Sequence, residues 1–530
     1  MLLLRTCAVI RVLAARSSAI AWPSSLNTHE APEGEQEGVD VEGVGIHGGQ
    51  NEEGGEFFTE PSDISYEVHP LMNGRPCDES GNVLDDPDSL SQPRTTAAYN
   101  DWTPYDSRIQ FETAMLLFER TKMSQKNVNT LLELWAASLI QYGGVPPFTD
   151  CNDLHAKIDA TPLGDAPWTS FKTKFTGTLP ENPPSWMTAE YEVWHRNARV
   201  CARNMISNPD FAEEFDVAPY REWDNTFERR YNNLFSGDWA WRQADKYTAA
   251  DEDYHGAMYC PFVIGSDKTT VSVAMGQNDY WPLYFSWGNV WNNVRRAHRN
   301  VLVVLGFLAI PKADKQSAKD PLFRKFRRQL FHSSLAVILR SLLPKAGEPK
   351  YDIVQCPDGH FHRTVYTIGP YIADYMEQVL VCNIVQGCCP KYRKNLEEIW
   401  DGNLRSYQHT ELVIQAFDLR TLWEDYGIVG DLIPFTNDFP YADIHELMSG
   451  DLLHQIIKGC FKDHLVDWVG EYLILEHGEA RASGIMDQID RRIAAVPAFI
   501  GLRNFKQGRD FKQWTGDDSK GLMKVCRSRF

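Results

Sequence analysis

The stretch Tyr254–Pro311, YHGAMYCPFVIGSDKTTVSVAMGQNDYWPLYFSWGNVWNNVRRAHRNVLVVLGFLAIP, limits what this chain can fold into more than any other. β-Branched and aromatic runs bounded by Gly, Asn, Asp and Pro read as three consecutive strands, PFVIGSD, WPLYFSWGN and VLVVLGFLAIP. The last of these is the longest apolar run. It falls short of the roughly 18 residues of a membrane span and closes on proline, so it reads as a buried strand with no membrane partner implied. Asp267 falls where the first strand gives way to SDKTT. A carboxylate leaving a buried strand is a common holder of a divalent metal, and a turn aspartate capping a hairpin is the other reading of the same residue.

With 530 residues, 43% of them hydrophobic, the chain can bury large cores and divides by length into two to four domains. The net charge of −19 argues at first against a nucleic-acid partner. Its distribution reverses that argument. Ten acids and no Lys or Arg lie between Glu30 and Glu60, so the rest of the chain carries only about −9. Cations then gather at Arg295, Arg296, Arg299, Lys312, Lys315, Lys319, Arg324, Lys325, Arg327 and Arg328. They form either a phosphate-binding patch or a solvated helix face. The eleven cysteines are scattered, as in a reducing compartment. Met1–Thr28, with Arg5, Arg11, Arg16 and no acid, has the composition of a mitochondrial presequence, and equally of an unselected reading frame joined by a wrong start.

Residues 1–56 are expected to be disordered or artefactual, since the Glu- and Gly-rich segment cannot bury enough surface to offset ordering. Residues 57–250 form a helical, aromatic-rich region. There FETAMLLFERTKMSQKNVNTLLELWAASLIQYGG reads as helix, broken near Ser124, whose hydroxyl is placed to cap a second helix. WMTAEYEVWHRNARVCARNMI also reads as helix. The tryptophans and tyrosines of this region serve either as base-stacking platforms or as packing anchors. Residues 251–400 hold the strands, then the helix DPLFRKFRRQLFHSSLAVILRSLLP, with Phe323, Phe326, Leu330 and Phe331 on one stripe and Arg324, Lys325, Arg327 and Arg328 largely elsewhere. A hairpin-like pair and a turn then lead to a second acid, Asp374. Three strands, a helix, another strand and a second aspartate is the order of a ribonuclease-H-like core within an α+β or α/β chain. Residues 401–530 read as mainly helical.

Phosphodiester cleavage builds negative charge on the attacking and leaving oxygens, and hard cations bound by carboxylates from distant positions stabilise it. An Asp-to-Asp separation of this length has almost no specificity by itself. The longer blocks are specific. GSDKTTVSVAMGQNDYWPLYFSWGNVWNNVRRAHRNVLVVLGFLAIPK, FRKFRRQLFHSSLAVIL, GPYIADYMEQVLVCNIVQGCCPK, DFPYADIHELMSGDLLHQIIKGCFKDHLVDWV and QWTGDDSKGLMKV resemble the Plavaka-type transposases of basidiomycete fungi, distant relatives of the CACTA (EnSpm) transposases, from about Phe57 to Val525.

The resemblance implies a nuclear DDE-type transposase acting with Mg²⁺ or Mn²⁺ on double-stranded transposon ends, alone or as a homo-oligomer. It makes Asp267 the first acid and Asp374 the second. In the family the third acid follows the QWTGDDSK block, and this sequence stops at VCRSRF, so a truncated chain lacking that acid is expected. Asp451 is the in-chain substitute and Asp443 a weaker one, although Asp451 equally reads as the N-cap of DLLHQIIKG. Similar proteins carry Cys-Pro-x-Cys, able to grip Zn²⁺, where this chain has Cys388, Cys389, Pro390, Lys391 and Tyr392. A zinc site is left only the strained set of Cys389 with Cys388 or Cys382 and His409. Two functions follow: an active or impaired transposase, or a catalytically dead remnant that at most binds DNA through the Arg295–Arg328 surface. An interaction protein with no DNA partner is a third.

Overall fold

The computed structural model describes residues 64–86, 90–91, 101–160, 166–272, 278–296, 301–345, 347–393, 403–497, 503–509 and 514–529. The acidic amino-terminal segment, the arginine-bearing stretch before it and Arg299 lie outside these residues. In chain order the strands are β1 (Ser65–Val68), β2 (Pro76–Cys77), β3 (Thr169–Thr173), β4 (Tyr191–His195), β5 (Tyr220–Trp223), β6 (Arg229–Arg230), β7 (Met258–Ser266), β8 (Thr269–Ser272), β9 (Asn278–Tyr280), β10 (Pro282–Trp287), β11 (Leu302–Phe307), β12 (Asp352–Gln355) and β13 (Phe361–Ile372).

The main sheet runs β12-β13-β7-β10-β11-β4-β3, with β2 also paired to β13. All nine residues of β7 are buried. A strand covered on both faces reads as a continuous apolar run, which is what MYCPFVIGS is. β7, β10 and β11, the three strands expected from sequence, form an antiparallel meander. β13 lies on the other flank of β7 and parallel to it. A parallel return needs a crossover, and the helix Pro321–Leu339 lies on that path. Its Phe331, Leu335, Ile338 and Leu339 share one buried cluster with Phe262, Ile264, Phe285 and Leu305. Asp320 caps this helix by accepting the Leu322 N–H at 2.9 Å.

Three local expectations are corrected. WMTAEYEVWHRNARVCARNMI is not one helix but a short helix Ser185–Thr188, the strand β4 and a helix Ala198–Ile206. Tyr191 and Val193 are buried while Glu192 and Trp194 are exposed, the period of two that belongs to a strand. Ser124 stands at the N-cap of Gln125–Leu139 but makes no side-chain capping bond, whereas Ser107 accepts from Gln110 N–H and starts Arg108–Ala114. The chain before Asp374, expected to turn, stays extended through the Gly369-Pro370 pair. β13 passes through it as one twelve-residue strand, with a register shift against β7 between Ile368 and Tyr371.

Two of the four smaller cores among the described residues are built mainly from helices. Ala114, Leu117, Val128, Leu132, Phe148, Cys151 and Leu154 form one, and Phe461, Ile493, Phe505, Leu522 and Val525 the other. No helix among the described residues is long and apolar enough to cross a membrane.

Candidate active site

β7 and β13 end together. In their parallel register Tyr371 lies opposite Ile264 and Ile372 opposite Gly265. Carried two residues further, the same register sets Asp374 opposite Asp267. Neighbouring strands lie about 4.8 Å apart, so the two aspartates leave the sheet as neighbours. Both are exposed. Asp374 is also the N-cap of the helix Tyr375–Val381, and its Oδ1 accepts the Glu377 N–H at 2.8 Å. Asp267 stands two residues before β8, so the strand end and the hairpin that its sequence suggested are both present.

Sequence reasoning missed Glu377. Asp374 followed three residues later by Glu377 is the spacing of a capping box, which would keep the glutamate at the surface. The side chain turns inward instead. It accepts hydrogen bonds from Ser266 Oγ and, at 2.9 Å, from Trp281 Nε1, and Ser266 Oγ also meets the buried Tyr371 hydroxyl. Burial, with a smaller contribution from the negative charges of Asp374 and Asp267, pushes the Glu377 carboxyl up to about 7 against the pull of its Ser266 and Trp281 donors. One network therefore joins the last residue of β7, the residue before β10 and the first turn after β13.

The segment before Asp451 comes to the same end of the sheet. Met448 bridges Tyr371 in parallel sense, Ser449 N–H donates to Tyr371 O at 3.1 Å, and Gln378 Nε2 donates to both Ala373 O and Ser449 O. Asp451 follows Met448 by three residues as Asp374 follows Tyr371. Its carboxylate caps the π-helical segment Leu452–Val466, accepting His454 N–H at 2.9 Å and lying 2.8 Å from His454 Nδ1. Asp443 is spent on capping, since it accepts the backbone N–H groups of His445 and Tyr407. Among the described residues no three His, Cys, Asp or Glu side chains form a group able to hold a metal ion. Asp267 and Asp374 make a pair and not a triad.

The cations divide. Arg295 is no surface group: its guanidinium donates to Trp287 O at 2.6 Å, Val290 O at 2.9 Å, Asn292 Oδ1 and Ser286 Oγ, and desolvation lowers its pKa to about 10. Arg296 closes the helix Asn292–Arg296. Lys325 pairs with Asp431 at 2.8 Å, and Arg328 lies over the Trp423 ring. Beside Asp267, Lys268 pairs with Asp279 at 2.8 Å.

The expected cysteine set is organised around an arginine. Arg405, buried, donates from Nε to Cys389 O and Tyr392 O and from Nη2 to Tyr426 O. Its positive charge lies beside the Cys388, Cys389 and Cys382 thiols. A guanidinium among the thiols opposes a second cation there. His445, absent from the sequence reading, is buried against Pro390 O at 2.9 Å.

Strand order and strand-end carboxylates define a mixed α and β protein with an acidic site at the carboxyl ends of two parallel neighbours. The chain belongs to the Plavaka transposase family, whose model matches residues 148–469. No curated protein matches it.

Proposed function

We propose that this chain is a DDE-type DNA transposase, or a protein descended from one, built for metal-dependent strand cleavage and transfer at transposon ends in the nucleus. The observation that carries the reading is the pairing of Asp267 and Asp374 at the ends of β7 and β13, inside the family match. The order β11-β10-β7-β13, with a helix between β11 and β13 in sequence, supports a ribonuclease-H-like core.

Carboxylate oxygens suit Mg²⁺ or Mn²⁺, and Mg²⁺ is commonly held by one or two carboxylates with substrate phosphates completing its shell. Asp267 and Asp374 would hold the ion, which when bound supplies charge stabilisation at the phosphoryl oxygens. The chain's own work is positioning. The Glu377 N–H fixes the Asp374 carboxylate, and the Ser266–Glu377–Trp281 network fixes the end of β7 from which Asp267 departs.

The test is strand cleavage and transfer on the terminal repeats of the chain's own element with Mg²⁺ or Mn²⁺. Asp267→Ala and Asp374→Ala are each expected to lower the rate by about a hundredfold or more while leaving duplex affinity nearly unchanged. Cleavage that survives Asp267→Ala would remove that residue from the site. Salt-sensitive DNA binding with no cleavage by the wild type would identify a remnant that holds DNA without cutting it.

A further inference from the structure

The helix Pro321–Leu339 carries two arginines, Arg327 and Arg328, at helical spacing to its buried residues. Phe323, Leu330, Phe331 and Ser334 on one stripe are buried. Arg327 follows Phe323 by four residues and precedes Leu330, Phe331 and Ser334 by three, four and seven, so helical spacing sets it among them. Arg328, three, four and seven residues before Phe331, His332 and Leu335, has the same spacing, so the four basic residues do not make a single solvated face, contrary to the sequence reading. Lys325 pairs with Asp431, Arg324 Nε reaches Ala318 O at 3.4 Å, and Arg328, lying over Trp423, has the negative charge of Asp431 nearby. Arg327 has its guanidinium carbon 5.8 Å from the centre of the Phe323 ring, and among the described residues it makes no hydrogen bond or ion pair. The residue is exposed by area, yet enough protein surrounds the guanidinium that desolvation lowers its pKa.

Its place in the fold points to a ligand. Ile338, late in the helix, lies against Gly306 within the sheet. One and a half to two turns earlier Phe331 stacks on Trp281, at 5.1 Å between ring centres, and Trp281 donates to Glu377. Arg327 is another turn, about 6 Å, further along the same stripe. Beyond it Phe323 and Phe326 pack on Trp186. The helix thus passes from the sheet to the strand ends at Phe331 and carries Arg327 past them, between two aromatic anchors. Two exposed carboxylates by themselves repel a phosphodiester, and a cation without an ion pair one helical turn beyond the strand ends is placed to offset that repulsion.

We infer that Arg327 binds a phosphate of the DNA strand seated at the Asp267–Asp374 site, an assignment that rests on the function proposed above. The planar guanidinium can meet two phosphate oxygens at once, which a lysine cannot.

The probe is a linear duplex of the terminal repeat carrying one neutral methylphosphonate linkage, moved position by position, with binding followed by fluorescence anisotropy in Mg²⁺. In the wild type one linkage is expected to weaken binding about tenfold, the loss of one charge-assisted contact. Arg327→Gln weakens the unmodified duplex by a similar factor and no longer senses that linkage. Arg327→Lys retains part of the sensitivity, and Arg324→Gln retains all of it. If the linkage costs Arg327→Gln as much as it costs the wild type, or if no linkage matters to the wild type, the assignment is wrong. Divalent-metal affinity and cleavage in Asp267→Ala report separately on the active site, so either idea can fail without the other.

Discussion

At the scale of the residue, Glu377 links the two aspartates to the core. Its folded pKa of about 7 lies above the ordinary value of 4.5, so the folded chain keeps a proton that the unfolded chain loses in between. The stability of the neutral form is complete below about pH 4.5 and is lost as pH rises to about 7. Asp216, raised to about 7 by burial, has the same sign, whereas His332 and His445, held down to about 4 by burial, add stability as pH rises towards 6.5. The Glu377 share is isolated by substitution. With chelator present, the unfolding free energy of the wild type minus that of Glu377→Gln is expected to fall by up to about 3 kcal/mol between pH 5 and pH 8. A difference that stays constant with pH in urea titrations would show that the side chain is ionised throughout.

At the scale of the element, β13 has to pass Gly369 to bring Asp374 level with Asp267. A Cβ at Gly369 would stand 2.8 Å from the Phe262 carbonyl oxygen and 3.0 Å from Pro261 Cβ, so the two strands must part to admit it. Gly369→Ala is expected to cost about 1–3 kcal/mol in urea unfolding and to weaken divalent-metal binding by displacing Asp374. An unchanged unfolding midpoint would show that β13 can shift without strain. The three meander strands were readable because fully buried strands write continuous apolar runs. β4 was not, because Trp194 faces solvent and Arg and Asn follow at once in a helix-forming context. Asp267 and Asp374 were singled out by their places after a strand and a turn and given their roles by resemblance; their adjacency depends on a parallel register that no local pattern encodes. Glu377 was hidden by its capping-box spacing, and Arg327 was named within the basic cluster but not told apart from its neighbours.

At the scale of the whole molecule, the clusters around Leu132 and around Phe461 are packed apart from the sheet core. Leu132→Ala is expected to lower the opening free energy of Gln125–Leu139, read by hydrogen exchange, by about 2–4 kcal/mol while leaving divalent-metal affinity at Asp267 unchanged. A parallel loss of metal affinity would mean that the helical module and the sheet unfold as one unit. The same separation of local from distant contacts governs how the site is made. Ser266 and Glu377 are 111 residues apart in sequence, while β7, β10 and β11 meet through short connections. Closing the longer loop carries the larger entropic cost. On the ribosome Asp267 emerges 107 residues before Asp374, so the newborn chain passes through a stage that holds only half of its acidic pair.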